Sequence, residues 1–269
     1  MNDALYWVMI KHESKKILGY ALGLNAFQWL VTGVYPALVK SPVMEDIPKS
    51  FPSAVKRVFG VSTEDNVDLS YEAYISAQLF GRFWTLIISV YGISAANTLL
   101  AQLIDQGFMS FPLSAPIFRC DVLNTQIAVL LTELLFVTGT TIGGIYASTA
   151  FSDITINRWQ YFRLGVLAFS LGSAISAYSL LLGTFLGSEE ESLRAASVLT
   201  FVFYGLDVVS CLSDRFSCLK RFTPFGLFRP QEVLQGKVLP TKGWAVLSVI
   251  SGLAFALANA VFKRKDLVV

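Results

Sequence analysis

Apolar positions along the chain fall into six long blocks, residues 17–39, 75–96, 127–147, 164–185, 195–212 and 244–262, separated by polar, charged or proline-bearing segments. A helix needs roughly 20 residues to cross about 30 Å of hydrocarbon, and each block is of that order. The blocks are rich in Leu and Phe with Gly and Ser interspersed. Strands of an outer-membrane barrel would instead alternate apolar and polar residues over about ten positions. The pattern therefore predicts an all-α fold, a polytopic membrane protein built as a bundle of six transmembrane helices.

The stretches between the blocks refine this picture. Residues 1–16 mix Leu5, Trp7, Val8 and Ile10 with Lys11, Lys15 and Lys16, which predicts an N-terminal amphipathic elbow helix lying on an anionic leaflet. The first apolar block is too long for a signal-peptide core, carries Asn25 and Gln28, and has no small-residue cleavage site after it, so it is expected to stay as an anchor. Residues 17–269 then read as one transmembrane domain, with a cytoplasmic segment 97–121 and outer loops 40–74 and 213–243. Short surface helices are expected around FPSAVKRVFG at 51–60 and at 230–236. An even number of spans puts both termini on one side, and Lys11, Lys15 and Lys16 with Lys263, Arg264 and Lys265 make that side cytoplasmic. The expected location is a cell membrane, crossed several times.

Composition agrees: 54% of residues are apolar and 15% charged, with a mean hydropathy of +0.57, well outside the range of soluble domains. The net charge of +2 includes no basic stripe, so nucleic acid is not an expected partner. Of the three cysteines, Cys120 falls on the cytoplasmic side, while Cys211 and Cys218 bracket the start of an outer loop, where an oxidising exterior would permit a disulfide and plain packing of apolar thiols is the alternative. No GxxxxGK[ST] loop is present, so the chain has no phosphate-cradling segment of that type. His12 is the only histidine, which removes Ser-His dyads, HExxH sites and multi-histidine metal centres. No catalytic, metal or cofactor site is expected in this chain.

Charged residues inside apolar blocks are costly and invite a reason. Arg82 lies in the outer part of the second span, Glu133 near the middle of the third and Asp207 toward the outer end of the fifth. They are candidates for an intramembrane charge pair, Arg82 with Glu133 above all, or for groups lining a pathway. Small-residue repeats, Gly19 and Gly23, Gly139 and Gly143, Gly172 and Ser176, allow close helix approach.

The segment joining the second and third spans, LIDQGFMSFPLSAPIFR at 103–119, holds Asp105, Gln106, Gly107, Phe108, Phe111, Leu113, Ser114, Pro116 and Arg119. Leu103, Ile104, Phe108 and Phe111 are spaced to share one face of a short helix, and Gly107 would let another surface come close. An acidic residue, then Gly, then an apolar run, then Pro and Arg, placed between these two spans, resembles the cytoplasmic segment of ABC transporter permeases of the ABC-2 exporter type. The resemblance continues in KHESKKILGYALG at 11–23, in Thr223, Pro224 and Phe225 before the last span, and in FKRKDL at 262–267.

That resemblance implies a membrane-spanning exporter subunit that pairs with a second permease copy or a homologous permease and with separate ABC ATP-binding subunits. ATP and Mg would be held on those partners, and the 103–119 segment, through Asp105, Gln106, Gly107, Phe108, Phe111, Pro116 and Arg119, would couple them to the spans. The implied cargo is amphiphilic: a peptide, an antibiotic, a lipid or a glycan precursor. Two other classes stay open on the residues alone, a scaffold or channel that binds no ATPase and an intramembrane enzyme.

Overall fold

The computed structural model describes residues 3–39, 70–105, 119–212, 223–236 and 240–264. Among them the regular structure is helical: α1 (Asp3–Val39), α2 (Tyr71–Asp105), α3 (Arg119–Phe151), α4 (Arg158–Leu186), α5 (Glu189–Leu212), α6 (Pro230–Leu234) and α7 (Thr241–Arg264). Six of these, all but α6, are long and apolar enough to cross a membrane, and each apolar block of the sequence lies inside one of them.

The helices stack as an up-and-down bundle. At one end the Lys16 amine of α1 donates to Thr98 of α2 and Asn259 of α7 donates to Asn124 of α3, so the beginnings of α1 and α3 lie beside the ends of α2 and α7. At the other end Thr32 of α1 meets the hydroxyl of Tyr71 at the start of α2. We call the first the terminal end, because both chain termini approach it, and the second the distal end. α1 and α3 run side by side in the same direction, as the bonds Tyr6 to Thr132 and Gln28 to Ser148 require.

The centre of the bundle is α4. Of its most apolar window 72% is buried, against 22% for α5 and 33% for α1, so α4 is wrapped by protein while the other two face outward along most of their length. Its composition explains the placement. Gly172, Ser173, Ala174, Ser176 and Ala177 are small enough for neighbouring helices to close on them. A methyl group on Gly172 would press on Leu134 and Ile88, and one on Gly92 of α2 would meet Ser176. A methyl group on Gly19, Gly23, Gly139 or Gly143 would meet nothing within 4 Å among the described residues, so these pairs are not where the described helices close on one another. The Asn157 side chain accepts from the Trp159 amide to begin α4, and Gly187, at φ 74°, ends it in the left-handed conformation that glycine adopts without cost.

Local features add detail to this frame. α1 is one uninterrupted helix from Asp3 to Val39, with no break separating residues 3–16 from the span. At 1.5 Å per residue its 37 residues extend about 55 Å, well past the hydrocarbon thickness. α2, in contrast, is irregular: π-helical turns at Ser76–Gly81 and Asn97–Ala101 enclose Phe83–Ala96, and Arg82 leaves the helical region at φ −130°. Helical structure also begins earlier than the expected outer loop allows, at Tyr71, because the Ser70 hydroxyl caps the Ala73 amide. In the 230–236 region the expected short helix is present as α6, but Val233 and Leu234 are buried, so it packs into the bundle through its end.

Candidate functional site

Of the segment 97–121 the structure describes the two flanks, residues 97–105 and 119–121. Asp105 ends α2 at the terminal end, where its carboxylate accepts a hydrogen bond of 3.2 Å from the Glu189 amide that opens α5. This suits both partners, since free amide groups at a helix start favour negative charge. Arg119 opens α3, with its side chain outside the described residues. Gln106, Gly107, Phe108, Phe111 and Pro116 also lie outside the described residues, as do the 51–60 helix and Cys218. Cys211 is described and carries a free thiol.

The intramembrane charges are arranged differently from the expected Arg82 and Glu133 pair. Arg82 donates at 2.8 Å to Asp207 of α5, lies over the ring of Tyr204 at 5.3 Å, and points a second nitrogen toward the Cys211 sulfur at 3.9 Å. Glu133 of α3 accepts instead from the hydroxyl of Tyr91, at 2.9 Å. The reason is depth. Tyr91 and Arg82 share α2 but stand nine residues apart, about 13 Å along the axis, so no side chain spans from Arg82 to the level of Glu133. Asp207 lies at the level of Arg82 and takes its charge.

The acceptor carboxylate is buried in both. Asp207 is 7% exposed and Glu133 1%. The Arg82 and Asp207 bond ties α2 to α5 near the distal end, and the aromatic face of Tyr204 adds cation–π attraction of about 0.5–1 kcal/mol. The Tyr91 and Glu133 bond ties α2 to α3 nearer the terminal end.

α1 carries a buried acid of its own. Glu13 is 4% exposed, with its Oε1 3.1 Å from His12 and its Oε2 3.4 Å from the Lys16 amine. The second contact is an ion pair of moderate length and not a hydrogen bond, because Glu13 Oε2 has no hydrogen-bond partner. Glu133 Oε1 has none either. A legible signal existed: Glu13 and Lys16 stand three apart on one helix face next to an apolar block, the spacing at which opposite charges meet.

A second polar seam runs between α1 and α3 toward the distal end. The Gln28 amide donates to Thr32 at 3.1 Å and to Ser148 at 2.6 Å, and Thr32 shares a hydrogen bond of 2.8 Å with Tyr71. All four residues are buried. Gly144 makes room for this seam, since a side chain there would run into the amides of Asn25 and Gln28. Before the last span, the Thr223 hydroxyl accepts from the Gly226 amide and turns Phe225 inward to 6% exposure.

Among the described residues no group of three metal-ligating side chains occurs. The arrangement is a bundle of helices apt to cross a membrane, with two interhelical ties on α2, to Asp207 and to Glu133, and a buried acid, Glu13, on α1. No protein-family model matches this chain, and no curated protein matches it.

Proposed function

We propose that the chain is the membrane-spanning permease subunit of an ATP-driven ABC exporter of the ABC-2 type, with both termini in the cytoplasm of a cell. The observation that carries the reading is the order and spacing of Asp105, Gly107, Phe111, Pro116 and Arg119 between the second and third of six apolar spans. In support of the reading, Asp105 and the start of α3 lie at the same end of the bundle as Asn259 of α7 and the first turns of α1. ATP is bound and hydrolysed on separate subunits, and their closure is transmitted through the segment to α2 and α3. The protein works as a pair of permeases, and the cargo is amphiphilic: a peptide, an antibiotic, a lipid or a glycan precursor.

Purification of the tagged chain from its native membranes tests this directly. An ATPase subunit is expected to copurify, and the chain separated from it is expected to hydrolyse no ATP above background, since it lacks a phosphate-binding loop. Robust ATPase activity in a preparation shown to hold no other subunit overturns the reading, as does the absence of any ATPase from gently solubilised complexes.

A further inference from the structure

We propose that the distal end of α4 binds the phosphate headgroup of an anionic membrane lipid, through Arg158 and Arg163 and the rings of Trp159 and Phe162 beside them. Three observations carry it. The first is a pair of unanswered charges. Arg158 is exposed and Arg163 half-buried, and neither makes an ion pair among the described residues. Asp153, in the loop before α4, is exposed and pairs with neither. Arg194 and Arg229, by contrast, are held by Glu190 and Glu232 on their own helical turns.

The second is where the charged heads lie. A helical side chain leans toward the N-terminus of its helix, and Arg163 does so, its guanidinium lying over the Trp159 ring at 5.2 Å. That brings it one turn back, to the level of Arg158, the first residue of α4. Trp159 and Phe162 stack with centroids 5.4 Å apart and are 58% and 54% exposed. Spacings of four, from Arg158 to Phe162 and from Trp159 to Arg163, gather the four side chains on one outward face. The rest of α4 is largely wrapped by protein.

The third is depth. Exposed aromatic residues mark the distal end on three other elements: Trp29 of α1 meets Phe151 at the end of α3, with centroids 5.6 Å apart, and Trp244 stands in the first turn of α7. The Tyr146 hydroxyl of α3 donates at 2.7 Å to the Arg158 carbonyl and holds the start of α4 beside the last turns of α3. Rings of this kind collect where hydrocarbon meets headgroups, so both guanidiniums lie at the level of lipid phosphates. Lys242 is exposed at the same end, next to Gly243, where an added carbon would stand 3.3 Å from Leu167, one turn beyond Arg163. A guanidinium gives a phosphate two parallel N–H donors, and the exposed rings give the glycerol and the first acyl carbons an apolar floor. A soluble anion would use the charges and leave the rings bare, whereas a lipid uses both.

The site needs neither an ATPase nor a cargo, so its failure would leave the exporter reading intact. The full-length chain is reconstituted in nanodiscs of phosphatidylcholine with a minor share of phosphatidylglycerol whose acyl chains carry bromine, a contact quencher of tryptophan fluorescence. Quenching in excess of that share is expected in the unaltered chain, and most of the excess is expected to disappear in Trp159→Phe. Quenching in proportion to the share, or an excess that survives Trp159→Phe, overturns the proposal even if the arginine variants fail to fold. Arg158→Gln combined with Arg163→Gln is expected to weaken the selection of phosphatidylglycerol by about tenfold or more. Arg194→Gln, which alters an exposed arginine on α5, is expected to leave it unchanged. No loss in the double variant, or an equal loss in Arg194→Gln, overturns the site. Inorganic phosphate in large excess is expected to leave the quenching as it was, and displacement of the lipid by phosphate alone assigns the site to a free anion and overturns the lipid as its occupant.

Discussion

Replacing Arg82 by Met keeps most of the side-chain volume and removes the charge that answers Asp207. Asp207 is 7% exposed and has no second basic partner among the described contacts, so Arg82→Met leaves a carboxylate sealed in apolar surroundings. Breaking a fully buried pair in this way costs about 3–5 kcal/mol. The Arg82 side chain is 18% exposed, which lets some water reach the pair and puts the expectation near the lower bound, about 3 kcal/mol. For a protein of this size that corresponds to a fall in unfolding temperature of about 6–12 °C. Asp207→Asn keeps the shape and loses the charge, for about 1.5–3 kcal/mol. The double variant removes both charges and recovers part of the loss. Unfolding of the four proteins in one detergent, followed by tryptophan fluorescence, measures the coupling, expected at about 1.5 kcal/mol or more. Losses that add to within about 0.5 kcal/mol refute the pair.

Three further outcomes are expected. Gly144→Ala pushes a methyl group against the Asn25 and Gln28 amides and should destabilise the protein by about 1–3 kcal/mol in the same melt, with Asn25→Ala recovering part of the loss. Gly243→Ala places its new carbon 2.9 Å from the Leu227 carbonyl oxygen, a backbone atom that cannot rotate away, so the yield of folded protein should fall more than for Gly92→Ala, whose obstacle is the movable Ser176 hydroxyl. Gly107→Trp should leave insertion and stability intact while lowering cargo-stimulated ATPase activity of the reconstituted complex; unaltered turnover with normal assembly counts against a coupling role for that position.

The spans were legible because length and apolarity are summed over about twenty residues, and no single polar residue upsets the sum. The pairing of charges was not, because it depends on depth and on which helix lies beside which. Arg82, Glu133 and Asp207 each stand out in the sequence, yet the choice of Asp207 over Glu133 follows only once α5 is placed against the distal half of α2. α1 was divided at residue 16 on the strength of its lysines. The helix continues through that point, and there Lys16 pairs with Glu13 and reaches Thr98 of α2. The irregularities of α2 leave no pattern in composition, since a π-helical turn is stabilised by its neighbours and not by its own residues.

The polar content of the spans separates into two kinds with different consequences. Most Ser and Thr hydroxyls donate to the carbonyl one turn back in their own helix, as Ser89 does to Thr85, Thr141 to Val137, Ser173 to Phe169 and Ser179 to Ile175. Such groups are satisfied wherever the helix goes and leave its partners unspecified. Gln28, Glu133, Arg82 and Asp207 do otherwise: an ionised carboxylate has no proton to donate to its own helix, Gln28 and Arg82 reach outward, and each of the four bonds to another helix. These few residues therefore fix the arrangement that apolar packing alone leaves loose, since lipid is as apolar as leucine and gives helices little reason to prefer one neighbour. Two of the resulting ties start from the single segment Arg82 to Tyr91 of α2, one toward α5 and one toward α3, and π-helical turns stand on either side of that segment. Its register thus sets both contacts together, and a shift of α2 driven from the Asp105 end cannot alter the Tyr91 bond without loading the Arg82 bond about 13 Å away.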